Sequence, residues 1–278
     1  MPNHVIVSTL GWGGKTLEAA MAGIAALEMS QVELAVFQAY GDIRPKALAD
    51  GGPAEIASTA ACVRELMTEY GIAQVSTMYT GAGDVGLPLT EELRRMAAVA
   101  DLAVALGVPL VTVLGSATGT KFPAAVDRLK AIREIHASRG LVTCMKTHRG
   151  LIGEMPGDAV RLCEAVPDLG LTLEASHYLV GANQGEPFWQ VLPHVRHVTL
   201  RDARIIPVSL QMAPGYGDVD FGQIISRLHE RGYEGKFALE YVDLRPVDGP
   251  EGVARDIPSC LAAMRNLFVS LEKELGVR

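Results

Sequence analysis

Lys146, His148, Glu174, His177, Arg201, Arg204 and Glu240 are the side chains of this sequence best placed to do chemistry, because each falls at or just beyond the end of a short apolar run. The set holds an amine, two carboxylates, two imidazoles and two guanidinium groups. Carboxylates and imidazoles move protons, whereas ammonium and guanidinium groups stabilise developing negative charge. Charged groups at successive strand ends are costly to bury unless they face a polar cavity and pair with one another. Their recurrence at four runs, Val142–Lys146, Gly170–Glu174, His197–Arg201 and Phe237–Glu240, therefore reads as one convergent site.

Four further runs precede these, at Val5–Ser8, Val32–Phe37, Gln74–Met78 and Leu110–Leu114. Each is short, rich in valine and leucine, and followed by a segment of helical spacing, the alternation expected of parallel strands with crossover helices. The helices are expected over Thr16–Ala26, Ala54–Tyr70, Thr90–Leu106, Ala124–Ser138, Ala159–Ala165 and Phe221–Glu230, with Gly71, Gly107, Gly140, Gly170 and Gly232 at or just after helix ends. Eight strand–helix units in 278 residues match an α/β fold of the (β/α)8 TIM-barrel type, one domain over residues 1–278. An open doubly wound sheet is the alternative. In a barrel, the active residues belong at the C-terminal ends of the strands, where these side chains lie.

Other features exclude function classes. The net charge of -7 argues against a nucleic-acid groove, which needs clustered lysine and arginine. No apolar run reaches membrane-spanning length, and the chain opens without a secretory pattern. Cys62, Cys144, Cys163 and Cys260 show no paired spacing, so core thiols in a reducing cytoplasm are expected. Gly14-Lys15-Thr16 lacks the upstream glycine of a phosphate loop, since Thr9 stands at that position, although its backbone amides could receive an anionic group. The expected partner is a small sugar-like or keto-acid substrate.

A family resemblance is carried by several segments in order. They are Gln31-Val32-Glu33-Leu34, Ala105-Leu106-Gly107-Val108, Leu173-Glu174-Ala175-Ser176-His177 and His197-Val198-Thr199-Leu200-Arg201-Asp202. Pro214-Gly215-Tyr216-Gly217-Asp218-Val219-Asp220-Phe221 and Gly232-Tyr233-Glu234-Gly235 leading to Leu239-Glu240 complete the set. The chain resembles the xylose isomerase-like TIM-barrel superfamily, in its sugar phosphate isomerase/epimerase group. That resemblance implies a divalent metal (Mn, Mg, Zn or Co) held at the ends of strands five to eight, at positions that here carry Lys146, Glu174, Thr199 and Glu240. An ammonium has no lone pair to offer and a threonine hydroxyl is a weak ligand beside imidazole. Lys146 with two carboxylates reproduces the single net negative charge of the metal-loaded set, so the expectation is a site with no metal, its cation replaced by the lysine. If a metal is held, Glu174, Glu240 and His177 are its expected ligands.

The resemblance also implies proton abstraction beside a carbonyl; in this sequence Glu240 is the candidate base, Lys146 the electrophile or second acid/base, and Glu174 the group that orients the lysine. Isomerisation, dehydration or carbon–carbon cleavage all stay open, the last through a Schiff base if the amine is neutral. His177, His148, Arg201 and Arg204 are expected to contact substrate, and Trp12 to wall the pocket. Glu33 is expected in an ion pair. The apolar stripe of Asp256–Leu275 suits packing on the barrel or on a second copy in a homo-oligomer. A metal-dependent epimerase with altered ligands, including His148, and an inactive sugar-binding barrel are the competing readings.

Overall fold

In a computed structural model that describes residues 4–81, 87–242 and 256–277, eight parallel strands close into a barrel. In chain order the strands are β1 (Val5–Ser8), β2 (Gln31–Phe37), β3 (Gln74–Gly81), β4 (Leu110–Leu114), β5 (Val142–Lys146), β6 (Gly170–Glu174), β7 (Val195–Leu200), β8 (Asp202–Arg204), β9 (Ser209–Met212) and β10 (Lys236–Leu239). Barrel neighbours follow the chain from β1 to β7, and β10 closes the ring between β7 and β1. An open sheet is thereby ruled out. Strands β8 and β9 form a separate antiparallel hairpin in the loop after β7.

The barrel strands are almost wholly buried, as expected where side chains fill the interior and helices cover the outside. The helices are α1 (Leu17–Ala26), α2 (Pro45–Tyr70), α3 (Leu89–Ala105), α4 (Phe122–Ala137), α5 (Pro156–Ala165), α6 (Ala175–Val180), α7 (Phe221–His229) and α8 (Ile257–Leu275). Local chemistry sets their ends. Thr16 and Asp220 cap α1 and α7 by accepting from Ala19 N at 3.2 Å and Gln223 N at 2.8 Å. Pro45 and Pro156 occupy first-turn positions of α2 and α5, where no amide hydrogen is needed.

The structure departs from the sequence expectation in several places, among them the start of α5 at Pro156, three residues before the expected Ala159. Helix α2 starts at Pro45, nine residues before the expected Ala54, and kinks at Gly52, whose φ of 61° breaks the helical backbone. Strand β3 continues to Gly81, three residues past the expected end, and carries Tyr79 to the barrel mouth. Arg201 lies one residue beyond β7, which ends at Leu200. Gly170 opens β6 instead of ending a helix, because a side chain there would press on Arg196 and Cys144.

The apolar stripe of α8 is spent on its own barrel. Ile257, Leu261, Met264 and Phe268 are buried, and Phe268 packs on Phe237 of β10 with ring centres 4.7 Å apart. All four cysteines are free thiols, three of them buried. No helix among the described residues is long and apolar enough to cross a membrane.

Candidate active site

The C-terminal ends of β5, β6, β7 and β10 bring Lys146, Glu174, Arg201 and Glu240 together at the barrel mouth. Register sets this up: Glu174 on β6 lies beside Thr199 on β7, and Lys146 on β5 lies beside Thr172 on β6. Thr147 Oγ1 accepts from Glu174 N at 2.9 Å and fixes the β5 and β6 ends to each other. The Lys146 side chain is only 1% exposed, and its ammonium sits between two carboxylates. It lies 2.7 Å from Glu174 Oε2 and donates to Glu240 Oε1 and Oε2 at 2.9 and 3.0 Å. The Tyr79 ring covers its third side, 4.2 Å from Nζ to ring centre.

A second layer holds Glu174. Arg201 Nη2 donates to Glu174 Oε1, Ser176 Oγ donates to the same oxygen at 2.8 Å, and His177 Nε2 stands 3.4 Å away. Ser176 and His177 reach it because the chain turns into α6 directly after β6, a short helix with no sequence signature of its own. Arg201 Nη2 also lies 3.1 Å from His177 Nε2. A guanidinium only donates, so Nε2 accepts and the imidazole proton resides on Nδ1. That Nδ1 is buried and has no hydrogen-bond partner among the described residues. His148 packs against His177 with ring centres 3.9 Å apart and ring planes tilted by 38°, and its Nδ1 donates to Arg149 O at 2.7 Å. The pair thus presents one donor, His177 Nδ1, and one acceptor, His148 Nε2.

The electrostatics separate the two carboxylates. Burial works against the charged form of Lys146, yet the facing Glu174 and Glu240 outweigh it and hold the ammonium above the ordinary lysine range. Burial also opposes ionisation of Glu174, but Arg201, His177 and Lys146 together hold it well below the carboxylate range. For Glu240 burial prevails over Lys146, with Glu174 adding to it, and its proton affinity rises. Burial lowers both His148 and His177, which favours neutral imidazoles. A charged ammonium is no nucleophile, so the environment of Lys146 disfavours the Schiff-base route.

Lys146, His148, His177, Arg201 and Glu240 all line one cavity of about 660 Å³ at the mouth. Glu174 sits behind them and is not among the lining residues. Two expected site residues lie elsewhere. Trp12 does not wall this cavity; it is buried against α1, where Gly23 leaves room for the indole. Arg204 does not line it either, because the hairpin of β8 and β9 carries it beyond the strand end. The turn after β1 is not an anion cradle. Its amides at Gly13, Gly14 and Lys15 already donate to Leu10 O, Tyr40 O and Trp12 O at 2.9–3.0 Å.

Below the mouth, Glu33 pairs with His197 Nε2 at 2.8 Å and accepts from Thr77 Oγ1 at 3.2 Å. Asp202 organises the loop after β7, accepting from Ala203 N, Gly215 N and Gly217 N at 2.9, 2.9 and 3.0 Å. Gly217 is required there, since a Cβ would collide with the Asp202 carboxylate. Tyr79 was missed by sequence reading, and only its position at a strand end, once β3 is extended, could have flagged it.

The residues present do not suit a divalent ion. The space between Glu174 and Glu240 that would receive one is filled by the Lys146 ammonium, and Thr199 supplies only a buried hydroxyl. Among the described residues no three of histidine, cysteine, aspartate and glutamate gather as a ligand set.

A closed eight-stranded barrel with charged side chains gathered at its C-terminal mouth defines a TIM-barrel class of protein. Residues 18–264 match the family described as xylose isomerase-like TIM barrel, and the chain belongs to that family. Among curated proteins none matches the sequence. A xylose isomerase-like TIM-barrel protein from Mycobacterium smegmatis, in complex with magnesium, superposes with a TM-score of 0.73 at 15% identity, covering 98% of this chain and 97% of that one. A D-tagatose 3-epimerase-like protein gives 0.72 at 15% identity, covering 98% of each chain. A D-allulose 3-epimerase from Methylomonas sp. in complex with D-allulose gives 0.72 at 15% identity, covering 96% of each.

Proposed function

We propose that this protein is an isomerase or epimerase-type enzyme that enolises a small hydroxy carbonyl compound, with the Lys146 ammonium in the place of a metal ion. The observation that carries this is the position of Lys146 Nζ, within 3.0 Å of carboxylate oxygens from both Glu174 and Glu240 at the floor of the cavity. Family membership and the epimerases among the structural neighbours support the reaction class.

Glu240 is the base. It lines the cavity, its proton affinity is raised, and each oxygen keeps a lone pair beyond the one engaged by Lys146. It takes the proton from the carbon beside the carbonyl. Negative charge then grows on the carbonyl oxygen, where the ammonium of Lys146 stabilises it in a pocket largely shielded from water. Glu174 positions Lys146 and, being held ionised by Arg201, does not compete for the substrate proton. His177 Nδ1 donates to a substrate oxygen and His148 Nε2 accepts from a hydroxyl. Return of the proton to the neighbouring carbon, with transfer of the hydroxyl proton to the former carbonyl oxygen by way of His148 Nε2, completes a 1,2-isomerisation, while return to the same carbon is read as solvent exchange.

The test is incorporation of deuterium from D2O into a panel of hydroxy ketones and ketoses, followed by NMR in the presence of a chelator. Exchange that survives the chelator and falls by about a thousandfold in Glu240→Gln is the expected outcome. Exchange that appears only on adding Mn or Mg would replace this reading with a metal-dependent epimerase. Tight sugar binding with no exchange would indicate an inactive binding barrel.

A further inference from the structure

The cavity above Lys146 has two unlike walls. Its charged groups and imidazoles all come from β5, β6, β7 and β10 and their following residues, and the hydroxyls of Tyr40 and Tyr79 are the polar side-chain groups of the other side among the described lining residues. The opposite wall comes from β1 to β4 and from β9, and it presents Leu10, Phe37, Tyr79, Leu114 and Leu210. Phe37 and Tyr79 meet edge to face with ring centres 4.7 Å apart, which leaves a rigid aromatic surface. A substrate hydroxyl turned to Leu10, Phe37, Leu114 or Leu210 would lose its water and gain no side-chain partner there.

Charge on this cavity is also balanced. The two cations at the floor, Lys146 and Arg201, are each matched by a carboxylate, Glu240 and Glu174. The amides of Gly13, Gly14 and Lys15 in the turn after β1 are engaged, and Leu17 N at the start of α1 donates to Asp42 Oδ2 at 2.8 Å. Arg204, on the same hairpin as Leu210, is not among the lining residues. Among the described residues that line it, the cavity therefore offers no surplus positive charge to hold a phosphate dianion.

We infer that the substrate is an α-hydroxy ketone whose head meets Lys146 and Glu240 and whose body is a hydrocarbon or aromatic group, without a phosphate. The assignment of the head rests on the enolisation reading above; that of the body rests on the apolar wall alone. Buried apolar area favours such a body by about 25 cal/mol per Å² against a hydroxylated chain that must give up its water.

Three compounds sharing the HOCH2–CO head separate the classes. They are 2-hydroxy-1-phenylethanone, L-erythrulose and L-erythrulose 4-phosphate, titrated calorimetrically into the full-length protein. The phenyl ketone is expected to bind at least about tenfold more tightly than erythrulose, and the phosphate to bring no gain. Erythrulose or its phosphate binding as tightly as the phenyl ketone overturns the inference, as does failure of the phenyl ketone to bind at millimolar concentration. Leu114→Asn, or Leu210→Asn if the first variant does not fold, is expected to shrink the preference several-fold; an unchanged preference counts against the wall. Deuterium exchange at the CH2 of the phenyl ketone is read separately. Absent exchange with the preference intact sinks the enolisation reading and leaves the apolar body standing.

Discussion

The two halves of the barrel mouth solve opposite problems with the same scaffold. On the side of β5, β6, β7 and β10, four formal charges are buried within a few ångströms and stabilise one another only as a set. On the side of β1 to β4, the strand ends are apolar and behave as an extension of the core, with Leu10, Phe37 and Tyr79 packed as a small cluster of their own. Removing one member of the charged half strands its partners, whereas trimming the apolar half removes only contact area. Reaction chemistry and substrate shape are thereby assigned to different strands.

The sharpest way to break this contrast is Lys146→Met. It strips Glu240 of its close cation and leaves Arg201 alone to face both carboxylates, and a loss of about 3–5 kcal/mol in denaturant unfolding at neutral pH is expected together with loss of exchange activity. The deficit should shrink as the pH falls, because protonation of Glu240 removes the unpaired charge.

The pH dependence of the native protein follows from the same groups. Glu174 is held below its ordinary value, so its contribution is present above the usual carboxylate range of about 4.3 and is lost as the pH falls through its folded value. Lys146 is held above its own, so its contribution is present below about pH 10.4 and is lost only as the pH rises through its folded value. Glu240 is raised and works in the opposite sense to Glu174 in acid. A stability plateau between about pH 5 and pH 10 is expected from denaturation midpoints, with a shallower acid limb in Glu174→Gln.

Asp202→Asn tests whether the loop after β7 is held from the charged half. Replacing an acceptor of several backbone amides is expected to cost about 1–2 kcal/mol. Faster hydrogen exchange at Gly215 and Gly217 would locate the effect. The smallest effect belongs to the apolar half: Leu210→Ser, on a partly exposed hairpin strand, should change stability by less than about 1 kcal/mol. Its affinity for 2-hydroxy-1-phenylethanone should nevertheless fall a few-fold. A stability loss like that of Lys146→Met would erase the distinction between the halves.

The charged half was legible in the sequence because Lys146, Glu174 and Glu240 interrupt apolar runs at strand ends, where burial makes such residues expensive. Six of the eight barrel strands could be placed within a residue at both ends for the related reason that parallel strands read as continuous apolar runs; β7 was displaced at its start, and β3 ran on at its end. The apolar half was not legible, since a leucine lining a cavity and a leucine filling a core look alike. Trp12 was drawn to the pocket by its place after β1, but the small Gly23 on α1 gives the indole a site in the core. Arg204 misled because sequence spacing cannot show that β8 leaves the barrel to pair with β9. Ser176 and His177 reach Glu174 only through the turn of α6, six residues that lack the length for a periodic signal.

The most direct test of Lys146 as the cation of this site is elemental analysis of the native protein. It should be purified without chelator, offered Mn, Zn, Co and Mg, and dialysed. The expected result is far less than one divalent ion per chain, with Lys146→Glu gaining the ability to retain one. A stoichiometric ion in the native protein, released by Glu240→Gln, would contradict it.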